Sequence, residues 1–275
     1  MVQEKHKYKN NIIKDKIQSH KINKWFKKKG WSFYDYQIKA LQAINQNKDI
    51  LITSPTGSGK TLAGLLPTIL ESDKFKKTNL YTIFISPLKS LSYDIERNLL
   101  IPINECDLNL TISVRTGDTT AYTKTKQIEK PPNILVTTPE SFALLMSYKN
   151  AEEYFSNLKY LIIDELHNII HSKRGDLLAL NIARLNEIVP YHNKIALSAT
   201  LKDIKTGLAY FSNKKKSEVI KSLKNKKLSV SIIKTTKNIP WSGYMATYAI
   251  KNIYNYILKH KSSIIFVNTR AQAEV

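Results

Sequence analysis

The run Asp49-Ile50-Leu51-Ile52-Thr53, then Ser54-Pro55-Thr56-Gly57-Ser58-Gly59-Lys60-Thr61, then Leu62-Ala63-Gly64-Leu65-Leu66, limits the possible folds of this chain more than any other stretch. An apolar run of strand length enters a turn holding two glycines, and the turn opens directly onto a helical apolar pattern. The glycines let backbone N–H groups point inward, and the helix start adds positive partial charge, so the junction is a cradle for phosphate. In a nucleotide-bound state Thr56, Gly57, Ser58 and Gly59 wrap the phosphates, Lys60 reaches the β- and γ-phosphates, and Thr61 holds Mg²⁺. Position 54 is serine where the usual pattern has glycine, and a small residue suffices there.

The strand-then-helix step recurs downstream. Leu80–Ile85, Thr111–Val114, Ile134–Thr137, Tyr160–Ile163 and Lys194–Leu197 read as near-continuous apolar strands. Helical stretches fall between them, over Leu88–Cys106, Ala121–Ile128, from Glu140 onward and over Asp176–Val189. Strands apolar on both faces, separated by helices, predict an α/β fold with a doubly wound parallel sheet, the P-loop NTPase architecture. Ligands of such sheets collect at the C-terminal ends of the strands. Upstream, Ile22, Trp25 and Phe26 share a helix face that Gly30 terminates, and a second helix carries Ile38, Leu41 and Ile44. Gln37 opens that helix beside several aromatics. It is placed to read an adenine edge while a ring stacks on the base, although an aromatic-rich helix start also serves as plain core.

The expected organisation is a basic leader over 1–21, a nucleotide-binding domain over 22–213, a linker with connecting strands over 214–241 and the beginning of a further domain over 242–275. Residues 1–20 are read as frayed or weakly helical. Lysine-rich runs at 214–216 and 224–227 flank a short strand at Glu218–Ile220. Leu228–Ile233 reads as a strand, Ala246–Leu258 as a helix, and Ser263–Val267 as a strand ending in Asn268-Thr269-Arg270. Such a remnant is too small for a core of its own.

Polar clusters sit at the predicted strand ends. Asp164 and Glu165 close the strand Leu161-Ile162-Ile163, where paired carboxylates are costly without a cation. Asp164 meets Mg²⁺ through water, and Glu165 orients the water that attacks the γ-phosphate. His167 joins them as a catalytic candidate, although taken singly it reads as a surface or core histidine. Phe84-Ile85-Ser86-Pro87 and Val136-Thr137-Thr138-Pro139-Glu140 share a hydroxyl-then-proline design that makes a defined helix N-terminus. With Arg115, Thr116 and Gly117 they are placed to grip successive phosphates of a nucleic acid strand, while each alone is also simply a good cap. Ser198 and Thr200 are placed to relay γ-phosphate occupancy into movement. Only five residues are arginine, and Arg115, Arg174 and Arg270 fall at strand ends or loops, where a guanidinium fork differs from a lysine point charge.

The formal charge of +21, from 43 Lys+Arg against 22 Asp+Glu, favours a polyanionic partner. Abundant Lys, Asn, Ile and Tyr are also what coding bias toward A and T yields. One cysteine, Cys106, excludes an internal disulfide and fits a reducing compartment. The N-terminus has no apolar export core, no arginine precedes Arg97, and no apolar run approaches the ~20 residues of a membrane span, so the expectation is a cytoplasmic protein.

Gln37, the Gly-Lys-Thr turn, Ser86-Pro87-Leu88, Arg115-Thr116-Gly117-Asp118, Thr138-Pro139-Glu140, Asp164-Glu165-Leu166-His167, Ser198-Ala199-Thr200 and Phe266-Val267-Asn268-Thr269-Arg270 occur in that order. Together they resemble a superfamily 2 DExH-box helicase of the long-helicase-related (Lhr-like) group. Arg-Thr-Gly-Asp-Thr, Ser172-Lys173-Arg174-Gly175 and Pro240-Trp241-Ser242-Gly243 look most like the DNA-ligase-associated helicases of bacterial DNA repair. The resemblance implies two RecA-like domains, the second incomplete here, clamping a strand with ATP and Mg²⁺ in the cleft. It implies translocation on single-stranded or duplex DNA, nucleic acid contacts by Asn268 and Arg270, and DNA ligase and a repair nuclease as partners. RNA remains open, because phosphate-gripping loops suit either backbone. Without the arginines of a complete second domain, the expectation is that this chain binds ATP and nucleic acid, hydrolyses slowly and does not unwind. A P-loop GTPase or small-molecule kinase is the rival enzyme, disfavoured because no Asn-Lys-x-Asp guanine reader occurs. A non-catalytic nucleic acid binding module is the other alternative.

Overall fold

The computed structural model describes residues 15–199, 201, 203–212, 216–222, 229–232 and 247–274. It divides into two units, Met1–Leu223 and Lys224–Val275.

The first unit is built on seven strands: β1 Asp49–Thr53, β2 Thr82–Ile85, β3 Ile112–Arg115, β4 Ile134–Thr137, β5 Tyr160–Ile163, β6 Asn193–Ser198 and β7 Ser217–Lys221. They form one sheet in the order β3-β4-β2-β5-β6-β1-β7, and every pairing is parallel. Parallel neighbours require crossovers. Helices α1 Lys21–Lys28 and α2 Asp35–Ile44 precede β1, and the crossovers are made by α3 Lys60–Leu70, α4 Lys89–Glu105, α5 Ala121–Glu129, α6 Pro139–Met146, α7 Ala151–Phe155, α8 Leu166–Ile169, α9 Lys173–Ile188 and α10 Ile204–Phe211. Strand alternation divides the core in two. Ile50, Ile52, Phe84, Ile162, Ile195 and Leu197 face one side with Ile22, Ala40, Leu65 and Ile95 from α1–α4. Leu51, Ile83, Ile85, Leu161, Ile163 and Ala196 face the other with Phe142, Phe155, Leu178 and Phe211 from α6–α10. Each such side chain contributes about 1.5–3 kcal/mol by leaving water, so the central strands are held from both faces.

Side-chain oxygens start the helices that face the strand ends. Thr120 accepts from Thr123 N–H, Thr138 from Ser141 N–H and Ser172 from Gly175 N–H, each such cap being worth about 1 kcal/mol. Gly175 has no tolerance for a larger residue, since a Cβ there would lie 2.2 Å from the Ile169 carbonyl oxygen. At the opposite end of the sheet, buried Asp49 meets Lys194 Nζ at 3.5 Å and accepts from Ser212 Oγ at 2.8 Å, fastening β1 to β6 and to the residue after α10.

Several expectations are corrected. Residues 15–19 are helical and Ile17 and His20 are buried, so the end of the expected leader belongs to the core. Glu218–Ile220, assigned to the linker, lies in β7, which pairs with β1 along its whole length. Helix α9 begins at Lys173 rather than Asp176, and the short helices α7, α8 and α10 were not anticipated.

The second unit contains a 3-10 turn at Thr247–Ala249, α11 Ile250–Ile257 and α12 Arg270–Ala273. Neither 229–232 nor 263–267 is a strand, and Ile264, Ile265 and Phe266 are exposed. A strand exists only with a ladder partner, and an apolar run without one stays irregular. The expected linker at Asn238–Trp241 and the lysine run at 224–227 lie outside the described residues. Among described residues, no helix is long and apolar enough to cross a membrane.

Candidate nucleotide site and polynucleotide face

The C-terminal ends of β1, β6, β5 and β2 deliver Ser54, Ser198, Asp164 and Ser86 to one edge of the sheet. After β1 the backbone turns through Gly57 at φ 69° and Gly59 at φ 86°, left-handed values that favour glycine, and α3 starts at Lys60. Lys60 is buried, and its Nζ donates to the carbonyls of Ser54 at 2.7 Å and Pro55 at 3.3 Å. The ammonium thus rests on oxygens of its own loop, an arrangement that phosphate oxygens can take over. Ser54 Oγ donates to Ser58 Oγ and Ser58 Oγ to the Pro55 carbonyl, both at 2.6 Å, which closes the turn. Ser54 N–H donates to the Ser198 carbonyl at 3.1 Å, tying this loop to the end of β6.

Gln37 is only 1% exposed. Its Oε1 accepts from Tyr34 N–H at 2.9 Å and its Nε2 donates to the Gly59 carbonyl at 3.2 Å. Tyr36 OH donates to the Ser58 carbonyl at 2.7 Å. Here the expectation is modified: Gln37 ties the phosphate turn, through Nε2, to the start of α2, through Oε1, instead of presenting an open edge to a base.

Asp164 ends β5, buried, with Oδ1 accepting from Glu165 N–H at 2.9 Å. Burial, and then the neighbouring Glu165 charge, push its carboxyl up to about 6, against the opposing effects of that N–H and of the Lys60 ammonium. Lys60 and Asp164 are therefore within electrostatic reach of each other. Glu165 adopts a left-handed backbone at φ 45°, ψ 47°, strain of the kind that persists where surrounding structure enforces it. Its Oε2 lies 3.3 Å from His167 Nδ1, which is also 3.1 Å from Ser198 Oγ. A cavity of about 760 Å³ is lined by Gly59, Thr61, Asp164 and Glu165 together with Trp25 and Trp31. The two indoles meet edge to face at 5.4 Å. A buried carboxylate facing a like charge, beside a threonine hydroxyl, suits a hard oxygen-seeking cation, so Thr61 and Asp164 fit Mg²⁺.

At the ends of β2, β3 and β4 the expected phosphate-gripping side chains point inward. Ser86, Thr116 and Thr138 are buried, the first donating to the Leu88 carbonyl and the last capping α6. Pro87 and Pro139 are buried too, whereas Gly117 is exposed. Arg115 is 2% exposed; it donates to the Lys124 carbonyl at 2.9 Å and to Tyr148 OH at 2.7 Å, with Gln127 Oε1 at 3.4 Å. Arg115 is thus a strut joining α5 to the segment after α6, not a surface phosphate contact. Glu140 is bound through both carboxylate oxygens by Arg174. A carboxylate only accepts, so Glu140 cannot donate to phosphate either. Cations that do reach the surface here include Lys89, 2.6 Å from Asp118, Lys173 and Arg174.

The model of the DEAD/DEAH box helicase family matches residues 34–206, from the start of α2 into α10. The chain belongs to this family. Among curated relatives, it is 33% identical to the ATP-dependent helicase Lhr-Core of Saccharolobus solfataricus, over 92% of the chain and 31% of that protein. It is 36% identical to Lhr-Core of Sulfolobus acidocaldarius, over 92% of the chain and 31% of that protein. Among solved structures it is similar to the Mycobacterium smegmatis helicase Lhr bound to single-stranded DNA and AMP-PNP. The TM-score is 0.79 at 29% identity, covering 93% of this chain and 34% of that one. The chain spans about a third of the length of these relatives.

The helicase domain therefore gathers Lys60, Thr61, Asp164, Glu165, His167 and Ser198 at one edge, as the motifs predict. Thr200 lies outside the described residues. Asn268 and Arg270 belong to the second unit, where Asn268 N–H donates to Gln272 Oε1 at 3.0 Å and Arg270 meets Glu274 at 3.3 Å. The aromatic wall of the cavity was not assigned from the sequence, although Trp25 and Trp31 flank a glycine stop just before Gln37, which is the signal that could have found it.

Proposed function

We propose that this chain is the ATP-binding part of an Lhr-type DNA helicase, coupling Mg·ATP hydrolysis to its grip on single-stranded DNA. The observation that carries the reading is the convergence of the Lys60-Thr61 turn with the Asp164–Glu165 pair on one cavity. Lys60 leaves the Ser54 and Pro55 carbonyls for the β- and γ-phosphates, where phosphoryl transfer depends on positioning and charge stabilisation. Thr61 and Asp164 hold Mg²⁺, which when bound neutralises charge developing on the phosphate oxygens. Glu165, aimed by its strained backbone, orients the attacking water. His167 and Ser198 link Glu165 to the end of β6, a route by which nucleotide occupancy reaches Thr200.

The single-stranded DNA in the Mycobacterium smegmatis Lhr structure supports DNA as the polymer. Repair work, with DNA ligase and a nuclease as partners, is the finer part of this proposal and is supported by the resemblance of the Arg-Thr-Gly-Asp-Thr and Ser-Lys-Arg-Gly runs to DNA-ligase-associated helicases. The test is binding of fluorescent ATP with and without single-stranded DNA, for the chain and for Lys60→Ala. ATP binding that the substitution abolishes, together with DNA affinity that responds to ATP in the unaltered chain alone, is the expected result. DNA binding indifferent to nucleotide in both proteins refutes the motor reading and leaves a binding module. Tighter binding of an RNA strand of the same sequence refutes the choice of DNA.

A further inference from the structure

Arg174 is the second residue of α9, and Glu140 is the second residue of α6. Their side chains meet as a fork, Nε to Oε1 and Nη2 to Oε2, the latter at 3.2 Å. Two of the five guanidinium N–H groups are used, and the side chain is still 43% exposed. The pair fixes the direction of the remaining donors at the N-terminal ends of two helices, each of which adds positive partial charge to the same region. Holding a long side chain in one rotamer before binding removes part of the entropy that a phosphate contact otherwise costs. Lys173, beside it, is exposed. With Arg115, Ser86, Thr116 and Thr138 turned inward, donors that stay exposed on this part of the face include the lysines Lys89 and Lys173 and the forked Arg174, one of the chain's five arginines.

We infer that Arg174 is a phosphate contact for the polynucleotide and that Glu140 is the positioning residue that aims it. This rests on the polynucleotide reading above. Glu140 then has two opposed effects: it orients the guanidinium, and its own charge faces the incoming strand. A strut that does not face the strand has no such asymmetry, because losing either partner removes the same contact and no charge opposite phosphate.

The test is fluorescence anisotropy of a labelled oligothymidylate bound to the full chain across a salt series. Arg174→Ala weakens binding and lowers the slope of log affinity against log salt by about 0.7, one phosphate contact on a single strand. Glu140→Gln, which keeps an acceptor but drops the charge, tightens binding about threefold, the scale of one exposed like charge. Arg174→Lys keeps the slope and loses affinity through the missing fork, and it decides the matter should Arg174→Ala unfold. If Arg174→Ala and Glu140→Gln shift affinity in the same direction, or both charge-removing substitutions leave the slope unchanged, the pair is only a strut and the inference is overturned. If the unaltered chain binds no oligonucleotide at any salt, the polynucleotide reading falls and the inference with it.

Discussion

Replacing Asp164 by Asn should make the metal-free protein more stable while removing its hold on Mg·ATP. Asn retains the oxygen that accepts from Glu165 N–H, so the local backbone is preserved and only the charge is lost. Burial and the Glu165 charge raise the Asp164 carboxyl from 3.8 to about 6, and at about 1.4 kcal/mol per pH unit that is a cost of about 3 kcal/mol when the group is ionised. The folded state holds this proton more tightly than the unfolded chain does. Stability of the unaltered protein therefore rises as pH falls through about 6 and levels off below the unfolded value near 3.8. The gain from Asp164→Asn is full above about pH 7 and vanishes toward pH 4. Denaturant midpoints of the first unit, measured with a chelator present at pH 8 and at pH 4.5, follow this directly. A variant less stable than the parent at pH 8, or a gain that persists unchanged at pH 4.5, refutes the account of Asp164 as a buried charge kept for its ligand.

Gly175→Ala drives a methyl against the Ile169 carbonyl, which is backbone and cannot yield cheaply, so a loss of about 3 kcal/mol or more is expected in chemical denaturation. A loss under about 1 kcal/mol refutes the close packing of α8 on α9. Arg115→Ala removes the donor to the half-exposed Tyr148 OH and Lys124 carbonyl and should cost about 1–2 kcal/mol. Its salt slope for oligonucleotide binding should stay at the parental value, and a drop restores Arg115 to the phosphate contacts. Gly59→Ala combines a left-handed backbone with a Cβ 3.0 Å from Gln37 Nε2. Stability should fall by about 1–2 kcal/mol, with fluorescent-ATP affinity reduced at least about tenfold; retained affinity refutes the need for that turn.

The sheet was legible because its strands are buried on both faces, so Leu161-Ile162-Ile163 and Ile134-Leu135-Val136 print as unbroken apolar runs between helical patterns. Ile264-Ile265-Phe266 prints the same way and is no strand, because composition records burial potential and not whether a neighbour exists to complete the ladder. That Lys60, Thr61, Asp164 and Glu165 would meet was legible because phosphate chemistry fixes residue type and spacing together. The polynucleotide loops were read less well. At a strand end, a single step in the alternation decides whether a side chain points into the core or out of it. Arg115 falls on the inward step, where Lys124, Gln127 and Tyr148 receive it, and none of these partners is signalled by local sequence. Arg174 became interpretable only once α6 and α9 were seen side by side.

The strand order β3-β4-β2-β5-β6-β1 has a practical meaning for how such an engine is modified. The groups proposed to handle nucleotide lie at the ends of β5, β6 and β1, while the loops proposed to touch the polynucleotide follow β3, β4 and β2, side by side on one sheet with Ser86 and Asp164 at the border. On the proposed function, a change of polynucleotide involves the loops after β3, β4 and β2 together with Arg174 of α9, which meets them through Glu140. The β2–β5 border and the Arg174–Glu140 fork between α6 and α9 are two places where the flanks meet.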